Sequence, residues 1–266
     1  MTTSTRSHTE EFVEAADCRV QLRKGGQGEP LLVLHSELWA PGWIDAYQQL
    51  AKDFTVIVPS LPGFGQSSRP EWILTPRDMA AWITWCIADT KLPTPLNVVG
   101  FSLGGWLAAE IATVNRQLIK KMVLVAPTGI KPTEGEIWDY FINSRKEAFV
   151  QGFENKDAPE FQQYYGKDWT PEEAEQVEIN REMACRLTWK PYMHSITLPW
   201  LAQGITTPTL IVHGRQDRIV PLNASERWRQ TVKGSQLKVL DKCGHMPEME
   251  HTTEFVKTVR DFLKAR

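Results

Sequence analysis

Several absences in the 266-residue sequence exclude whole classes of protein. The four cysteines (Cys18, Cys86, Cys185 and Cys243) are scattered with no CxxC pair, which argues against a disulfide framework or a structural zinc site and favours a reducing compartment. No run of about 18 uncharged apolar residues is present that could cross a bilayer. Because 30 Lys and Arg nearly balance 32 Asp and Glu, charge alone predicts neither nucleic-acid nor membrane binding.

Motifs for metals, nucleotides and export are also missing. There is no H-E-x-x-H pair, no acid-rich calcium loop and no phosphate-binding G-x-x-x-x-G-K-[ST], and Gly63-Phe64-Gly65 lacks the third glycine of a dinucleotide fingerprint. The polar start, Met1 to Glu11, has no apolar core of the kind that a secretory signal needs. We therefore expect a cytoplasmic protein that needs no cofactor and no metal.

Short apolar runs alternate with helix-like stretches along most of the chain. Runs that are apolar throughout, such as Leu31 to Leu34 and Leu210 to Val212, indicate strands covered on both faces. This pattern predicts an α/β fold with a mostly parallel, doubly wound sheet. A hairpin over Phe12 to Arg23, closed near Gly25-Gly26, is expected at the sheet edge.

The pattern changes in residues 131–204, which contain no strand-like run. Helical periodicity dominates there, and the segment holds 12 aromatic, 13 acidic and 8 basic residues. We predict a helical cap or lid in 131–204, inserted between a first core part in 12–130 and a second in 205–266. The aromatic side chains either form the core of this small subdomain or line the ceiling of a pocket, and the two interpretations are compatible.

A G-x-S-x-G pattern lies at Gly100-Phe101-Ser102-Leu103-Gly104, directly after a predicted strand and before a predicted helix. A serine in such a turn has a strained backbone, and the flanking glycines remove side chains that would clash. Its hydroxyl would project above the carboxyl edge of the sheet, next to free helix amides that favour negative charge. We predict that Ser102 is a nucleophile; the alternative is a merely tight strand–helix turn.

A serine nucleophile needs a base and an orienting acid. His245 is favoured as the base because its loop follows a strand at the correct edge of the sheet. Asp217, in the loop after the strand that ends at His213, is the candidate acid; alternatively it only caps the following turn. Asp241 is the second choice for the acid.

The order Ser102, Asp217, His245 resembles the serine branch of the α/β-hydrolase fold family. The resemblance runs from about Leu22 to Phe262 and includes a Leu-Pro-Gly-Phe-Gly-Gln-Ser segment at residues 61–67. It implies an oxyanion hole built by the backbone amides of Leu103 and Glu37. In the loop after the third strand, the family usually has the sequence His-Gly-x, whereas this chain has His35-Ser36-Glu37. We expect Glu37 to contribute only its amide and to turn its side chain away, or the departure to be simple family drift.

The resemblance leaves several reactions open on a small-molecule substrate. A serine nucleophile argues against the dehalogenases and epoxide hydrolases of this fold, which use an aspartate. We expect hydrolysis of a carboxylic ester with a small apolar or aromatic group, through an acyl-enzyme.

Hydrolysis of a carbon–carbon bond in a vinylogous diketone ranks second, because the C-G-H-M-P segment has Met246 where those enzymes usually carry Trp. A non-catalytic ligand-binding receptor on the same fold is a third possibility, and a monomer or homodimer is expected. The candidate substrate-binding residues are His35, Ser36, Phe101, Trp138, Phe141, Trp189 and Met246.

Overall fold

An eight-stranded sheet forms the centre of the computed structural model, which describes residues 8–38, 42–164 and 166–265, with only the backbone of Arg145. The strands are β1 Thr9–Ala15, β2 Cys18–Gly25, β3 Glu29–Leu34, β4 Phe54–Pro59, β5 Leu96–Phe101, β6 Ile119–Val125, β7 Thr209–Gly214 and β8 Gln236–Leu240. They lie in the order β1-β2-β4-β3-β5-β6-β7-β8. All neighbouring pairs from β4 to β8 in this order are parallel, whereas β1 and β2 are antiparallel additions at one edge.

The middle strands are buried on both faces, as their apolar sequences predict. Every residue of β5 and β7 is buried, and one hydrophobic cluster lies on each face of the sheet. Helices cover both faces because a parallel sheet needs a crossover between successive strands. The prediction of a mostly parallel α/β sheet is confirmed.

The hairpin at the edge turns at a different place from the one expected. Strands β1 and β2 pair from Thr9 with Lys24 to Ala15 with Cys18, so the turn is formed by Ala16 and Asp17. Both turn residues have positive φ, 48° and 54°, which suits a two-residue turn with the right-handed twist of a hairpin. The expected closure near Gly25-Gly26 is therefore wrong.

Two long helices begin at capping residues that are recognisable in the sequence. Thr75 and Asp78 form a reciprocal capping box before Pro76, and Thr170 and Glu173 do the same before Pro171. The helices are α1 Asp45–Leu50, α2 Pro76–Asp89, α3 Leu103–Val114, α4 Arg145–Gly152, α5 Pro159–Tyr164, α6 Pro171–Thr188, α7 Leu198–Leu201, α8 Leu222–Thr231, α9 Pro247–Glu250 and α10 Thr252–Lys264.

The chain between β6 and β7 contains helices α4 to α7 and a 3-10 turn, Ala202–Gly204. We call residues 131–204 the helical insert. Its aromatic side chains Phe149, Phe153 and Phe161 join the same hydrophobic cluster as the sheet residues Val99 and Val123. The insert therefore packs on the core of the sheet. Within the described ranges, no helix is long and apolar enough to cross a membrane.

Candidate active site

Ser102 occupies a sharp turn between β5 and α3. Its φ is 47° and its ψ is −109°, a strained combination for a residue with a side chain. The turn is fixed by the backbone: Ser102 N–H donates to Val125 O at 2.8 Å, and Ser102 O accepts from Gly105 and Trp106. The sequence pattern correctly predicts a strand–turn–helix at this position.

The two outer glycines of the pattern are required by close backbone contacts. A Cβ atom at Gly100 would lie 2.3 Å from Gly104 O, and one at Gly104 would lie 2.1 Å from Leu34 O. Real Cβ atoms do not approach backbone oxygens so closely. The glycines thus let α3 start directly against β5 and β3, which carries Ser102 to the carboxyl edge of the sheet.

Asp217 and His245 come together at the same edge, from the loops after β7 and β8. His245 Nδ1 lies 2.7 Å from Asp217 Oδ2. The other carboxylate oxygen, Oδ1, accepts from the backbone N–H groups of Ile219 and Val220 at 2.7 and 2.9 Å. Asp217 therefore caps its turn and orients the imidazole at the same time. Asp241 is exposed and pairs with Arg215, so the second-choice acid lies elsewhere.

The buried charges of this pair change both pKa values. Burial alone would raise the pKa of Asp217, but His245 and His213 outweigh it, so its carboxyl pKa falls well below the usual range. Burial alone would lower the pKa of His245, but Asp217 outweighs it, helped by Glu37 and Glu248, and raises the pKa to about 9. The Asp217 carboxylate thus stabilises the imidazolium form of His245.

The loop that carries His245 is tied to the helical insert. His245 N–H donates to Gly152 O at 2.7 Å. The Glu250 carboxylate accepts from the backbone N–H groups of Gly244, Glu154 and Asn155, at 2.7, 2.9 and 2.9 Å. The position of the imidazole therefore depends on contacts with the insert as well as on Asp217.

Glu37 turns its side chain into the site, so the expectation that it turns away is wrong. Ser102 Oγ donates to Glu37 Oε1 at 3.1 Å, and Leu103 N–H donates to Glu37 Oε2 at 3.1 Å. A third donor, the Tyr140 hydroxyl, lies 2.7 Å from Oε1. Between these described residues Ser102 makes its hydrogen bond with Glu37 and none with His245. The carboxyl group thus holds the amide that the sequence assigns to an oxyanion hole, while the role of the Glu37 amide stays a prediction.

Two of the candidate substrate-binding residues, His35 and Phe101, make contacts inside the protein. His35 is buried, its Nε2 accepts from Leu61 N–H at 3.0 Å, and its Nδ1 lies 2.7 Å from Ser36 O. Burial lowers the pKa of His35 to about 4, which keeps the ring neutral. The Phe101 ring packs in the core against Tyr47 and Phe255.

The other five candidates differ in exposure. Ser36 is partly buried, and Met246 is buried beside Gly152, close to His245. Trp138 packs against the core, and its indole Nε1 is buried with no hydrogen-bond partner in the described part of the chain. Phe141 and Trp189 contact each other, but Trp189 is 64% exposed and lies on the outside of the insert. The expectation of a substrate contact for Trp189 therefore gains no support.

Sequence reasoning missed three side chains of the site. Tyr140 gave no signal beyond being one aromatic residue in an aromatic-rich insert. His213 contacts Asp217 Oδ2 through Nε2 at 3.1 Å, and its spacing of four residues from Asp217 was an available hint. Glu248 is buried, one of its oxygens has no hydrogen-bond partner among the described residues, and burial raises its carboxyl pKa to about 8. Tyr140 and His213 contact predicted residues, whereas Glu248 acts on His245 through its charge.

Comparison with known proteins gives consistent matches over most of the chain. Residues 28–252 match the model of a family described as alpha/beta hydrolase fold. A 2-hydroxymuconate semialdehyde hydrolase from Pseudomonas sp. (strain CF600) is 30% identical, over 94% of this chain and 92% of its own length. A 2-hydroxy-6-oxo-2,4-heptadienoate hydrolase from Pseudomonas putida (strain F1 among its designations) is 27% identical, over 96% of both chains.

A solved structure supports the same architecture. The meta-cleavage product hydrolase CumD from Pseudomonas fluorescens IP01 superposes with a TM-score of 0.78 and 23% identity, covering 95% of this chain and 97% of that one. At this identity the likeness concerns the fold alone. It agrees with the family model that matches residues 28–252.

Proposed function

The chain belongs to the alpha/beta hydrolase fold family, and we propose that it hydrolyses a carbon–carbon bond in a 2-hydroxy-6-oxo-dienoate, a vinylogous diketone. The observation that carries this proposal is the similarity, over 94% of the chain, to a 2-hydroxymuconate semialdehyde hydrolase. The relatives thus favour the reaction that the sequence ranks second over the ester hydrolysis that it ranks first.

Three groups supply the chemistry in this proposal. Ser102 Oγ attacks the C6 carbonyl carbon of the substrate in its diketo form, while His245 takes the hydroxyl proton and Asp217 stabilises the imidazolium at 2.7 Å. The carbonyl electrons move to oxygen, and the Leu103 amide is placed to receive that charge once it is free of Glu37.

Collapse of this intermediate breaks the C5–C6 bond. The electron pair of the bond is delocalised onto the vinylogous 2-oxo group, and His245 returns its proton to that fragment, which leaves as a 2-hydroxydienoate. Water activated by His245 then adds to the acyl carbon on Ser102 and releases a carboxylic acid. One water molecule is consumed, and no electron acceptor is needed.

Hydrolysis of a carboxylic ester is the second candidate. A serine in a strand–helix turn beside an Asp–His pair can accept an acyl group from oxygen as well as from carbon. The two reactions differ in the leaving group: an ester releases an alcohol, whereas the diketone releases a delocalised dienolate that is protonated on its 2-oxygen.

The test measures both reactions on the same purified protein. We expect hydrolysis of a 2-hydroxy-6-oxo-dienoate, seen as loss of its visible absorbance, with a kcat/KM at least tenfold above that of any p-nitrophenyl ester in a series of rising chain length. Ser102→Ala should abolish turnover, and Asp241→Asn, which changes an exposed ion pair, should leave it within twofold.

The reverse ranking would overturn the carbon–carbon assignment and leave ester hydrolysis. Intact mass after incubation with a fluorophosphonate separates both enzymes from a ligand-binding receptor. One adduct on the wild type and none on Ser102→Ala supports a nucleophilic serine. Absence of both turnover and adduct would support the receptor.

A further inference from the structure

The Glu37 carboxyl group fills the position where a serine hydrolase of this fold needs an open amide. Both of its oxygens accept hydrogen bonds, Oε1 from the Ser102 and Tyr140 hydroxyls and Oε2 from the Leu103 amide. An oxyanion formed on a substrate attacked by Ser102 needs the same Leu103 N–H. The carboxyl group and the oxyanion therefore compete for one site.

The described side chains around the nucleophile are closed to solvent. Ser102 is 1% exposed, Glu37 0% and His245 5%. A substrate can reach Ser102 only if side chains above it move. The hydrogen bond from Tyr140 to Glu37 is a contact between the insert and the core at this point.

Tyr140 is itself held firmly by the insert. Its backbone N–H donates to the Tyr192 hydroxyl at 2.9 Å, and its carbonyl oxygen accepts from Arg181 at 3.1 Å. The Tyr192 hydroxyl in turn donates to Trp138 O. Displacement of the Glu37 side chain therefore breaks a contact that the fold of the insert supports.

We propose that Glu37 is a specificity-determining residue: its carboxyl group is an internal ligand of the Leu103 amide, which only substrates that also bind under the insert displace. The inference rests on the proposed acyl transfer at Ser102. Small esters, which make few contacts with the insert, gain too little binding energy to break the Tyr140–Glu37 contact. A larger dienoate uses its remote contacts to do so.

The competition has an expected size that can be measured. Removing the carboxyl group in Glu37→Ala should raise the second-order rate constant for labelling of Ser102 by a fluorophosphonate at least tenfold. It should raise kcat/KM for p-nitrophenyl acetate by a similar factor. We expect a smaller change for a dienoate, so that the preference for the dienoate over the acetate ester falls at least tenfold.

Two variants separate this role from a structural one. Tyr140→Phe keeps the carboxyl group but removes the hydroxyl that donates to it, and should raise the labelling rate about threefold. Glu182→Gln removes a carboxylate from the exposed outer face of the insert, where it pairs with Arg69, and should leave the rate unchanged. Thermal melting of each variant is measured alongside, and Tyr140→Phe decides the result if Glu37→Ala does not fold.

The outcomes distinguish this inference from the proposed function. Faster labelling of Glu37→Ala supports the inference even if no dienoate is hydrolysed, a result that would overturn the proposed function alone. Equal or slower labelling of folded Glu37→Ala, or no labelling of either protein, overturns the inference, whatever the dienoate result. A loss of all rates in both Glu37→Ala and Tyr140→Phe would instead make Glu37 a group that catalysis requires.

Discussion

Asp217 Oδ2 lies within hydrogen-bond distance of two imidazoles, His245 Nδ1 at 2.7 Å and His213 Nε2 at 3.1 Å. His213 is fully buried, and its Nδ1 and Nε2 also contact Ser225 Oγ and Val220 O. One carboxylate therefore joins a fixed ring in the core to the ring that the proposed mechanism uses. His213 therefore helps to orient the Asp217 carboxylate, so a change at Asp217 alters the geometry of the site as well as its charge.

Replacing Asp217 by Asn should lower turnover far more than it lowers stability. The amide keeps the shape of the carboxylate but removes its charge, and it can present an N–H to His245 and so favour the wrong tautomer. We expect kcat for the dienoate to fall by about 10⁴, the loss typical of this change in a Ser-His-Asp triad. Steady-state kinetics and a melting curve measure the two effects. A fall of less than tenfold would mean that Asp217 only caps its turn.

The dependence of kcat/KM on pH should report the pKa of His245. The imidazole acts as a base only without its proton, so activity should rise with pH through the raised pKa of about 9. Glu37 contributes to the raised value through its charge. Glu37→Gln should therefore move this limb to lower pH, whereas Glu182→Gln should not move it. If the rise of kcat/KM with pH has the same midpoint in Glu37→Gln as in the wild type, the rise reports the titration of a group other than His245.

Glu248 should make the protein less stable as pH rises. Burial raises its carboxyl pKa from 4.5 to about 8, so the unfolded chain releases this proton at lower pH than the folded one. The folded state is therefore disfavoured progressively between those two pH values. Each unit of this raised pKa corresponds to about 1.4 kcal/mol.

A neutral substitution tests this directly. Glu248→Gln cannot ionise, so its melting temperature relative to wild type should increase from pH 5 to pH 8.5. The matched change Glu254→Gln, at an exposed carboxylate paired with Lys238, should give a difference that does not grow with pH. A difference for Glu248→Gln that is flat or reversed would show that burial does not raise this pKa.

Glu250 should be a positioning residue for His245. Its carboxylate accepts three backbone N–H groups that join the His245 loop to the insert. Glu250→Ala leaves these amides without a partner, and hydrogen bonds to a charged group are worth about 2 kcal/mol each. We expect kcat to fall at least tenfold with little change in KM, because His245 loses its position while the substrate contacts remain.

The effect should depend on the carboxylate oxygens and not on the helix. Glu250→Gln keeps one acceptor oxygen and should recover part of kcat, and Glu254→Ala should behave as the wild type. Loss of stability in Glu250→Ala without any change in kcat would mean that the loop keeps its place through the His245 N–H to Gly152 contact alone.

The sequence alone determined the sheet and the place of the nucleophile. Continuous apolar runs predict buried parallel strands, and the glycines around Ser102 predict a turn that no larger residue allows, because both signals depend on neighbours within a few positions. The pairing of Asp217 with His245 was also predictable, since parallel strands bring the loops at their carboxyl ends to one edge.

Only the tertiary structure decided which way the side chains point. Glu37 turns into the site and not away from it, Phe101 packs into the core, and Tyr140 reaches Glu37 from 103 residues away along the chain. The Tyr140–Glu37 contact depends on how the insert packs against the sheet, and the place of Phe101 depends on Tyr47 and Phe255, which lie on helices α1 and α10. A rotamer is chosen by the atoms that surround it in space, and the local sequence that predicts a strand or a turn holds no information about them.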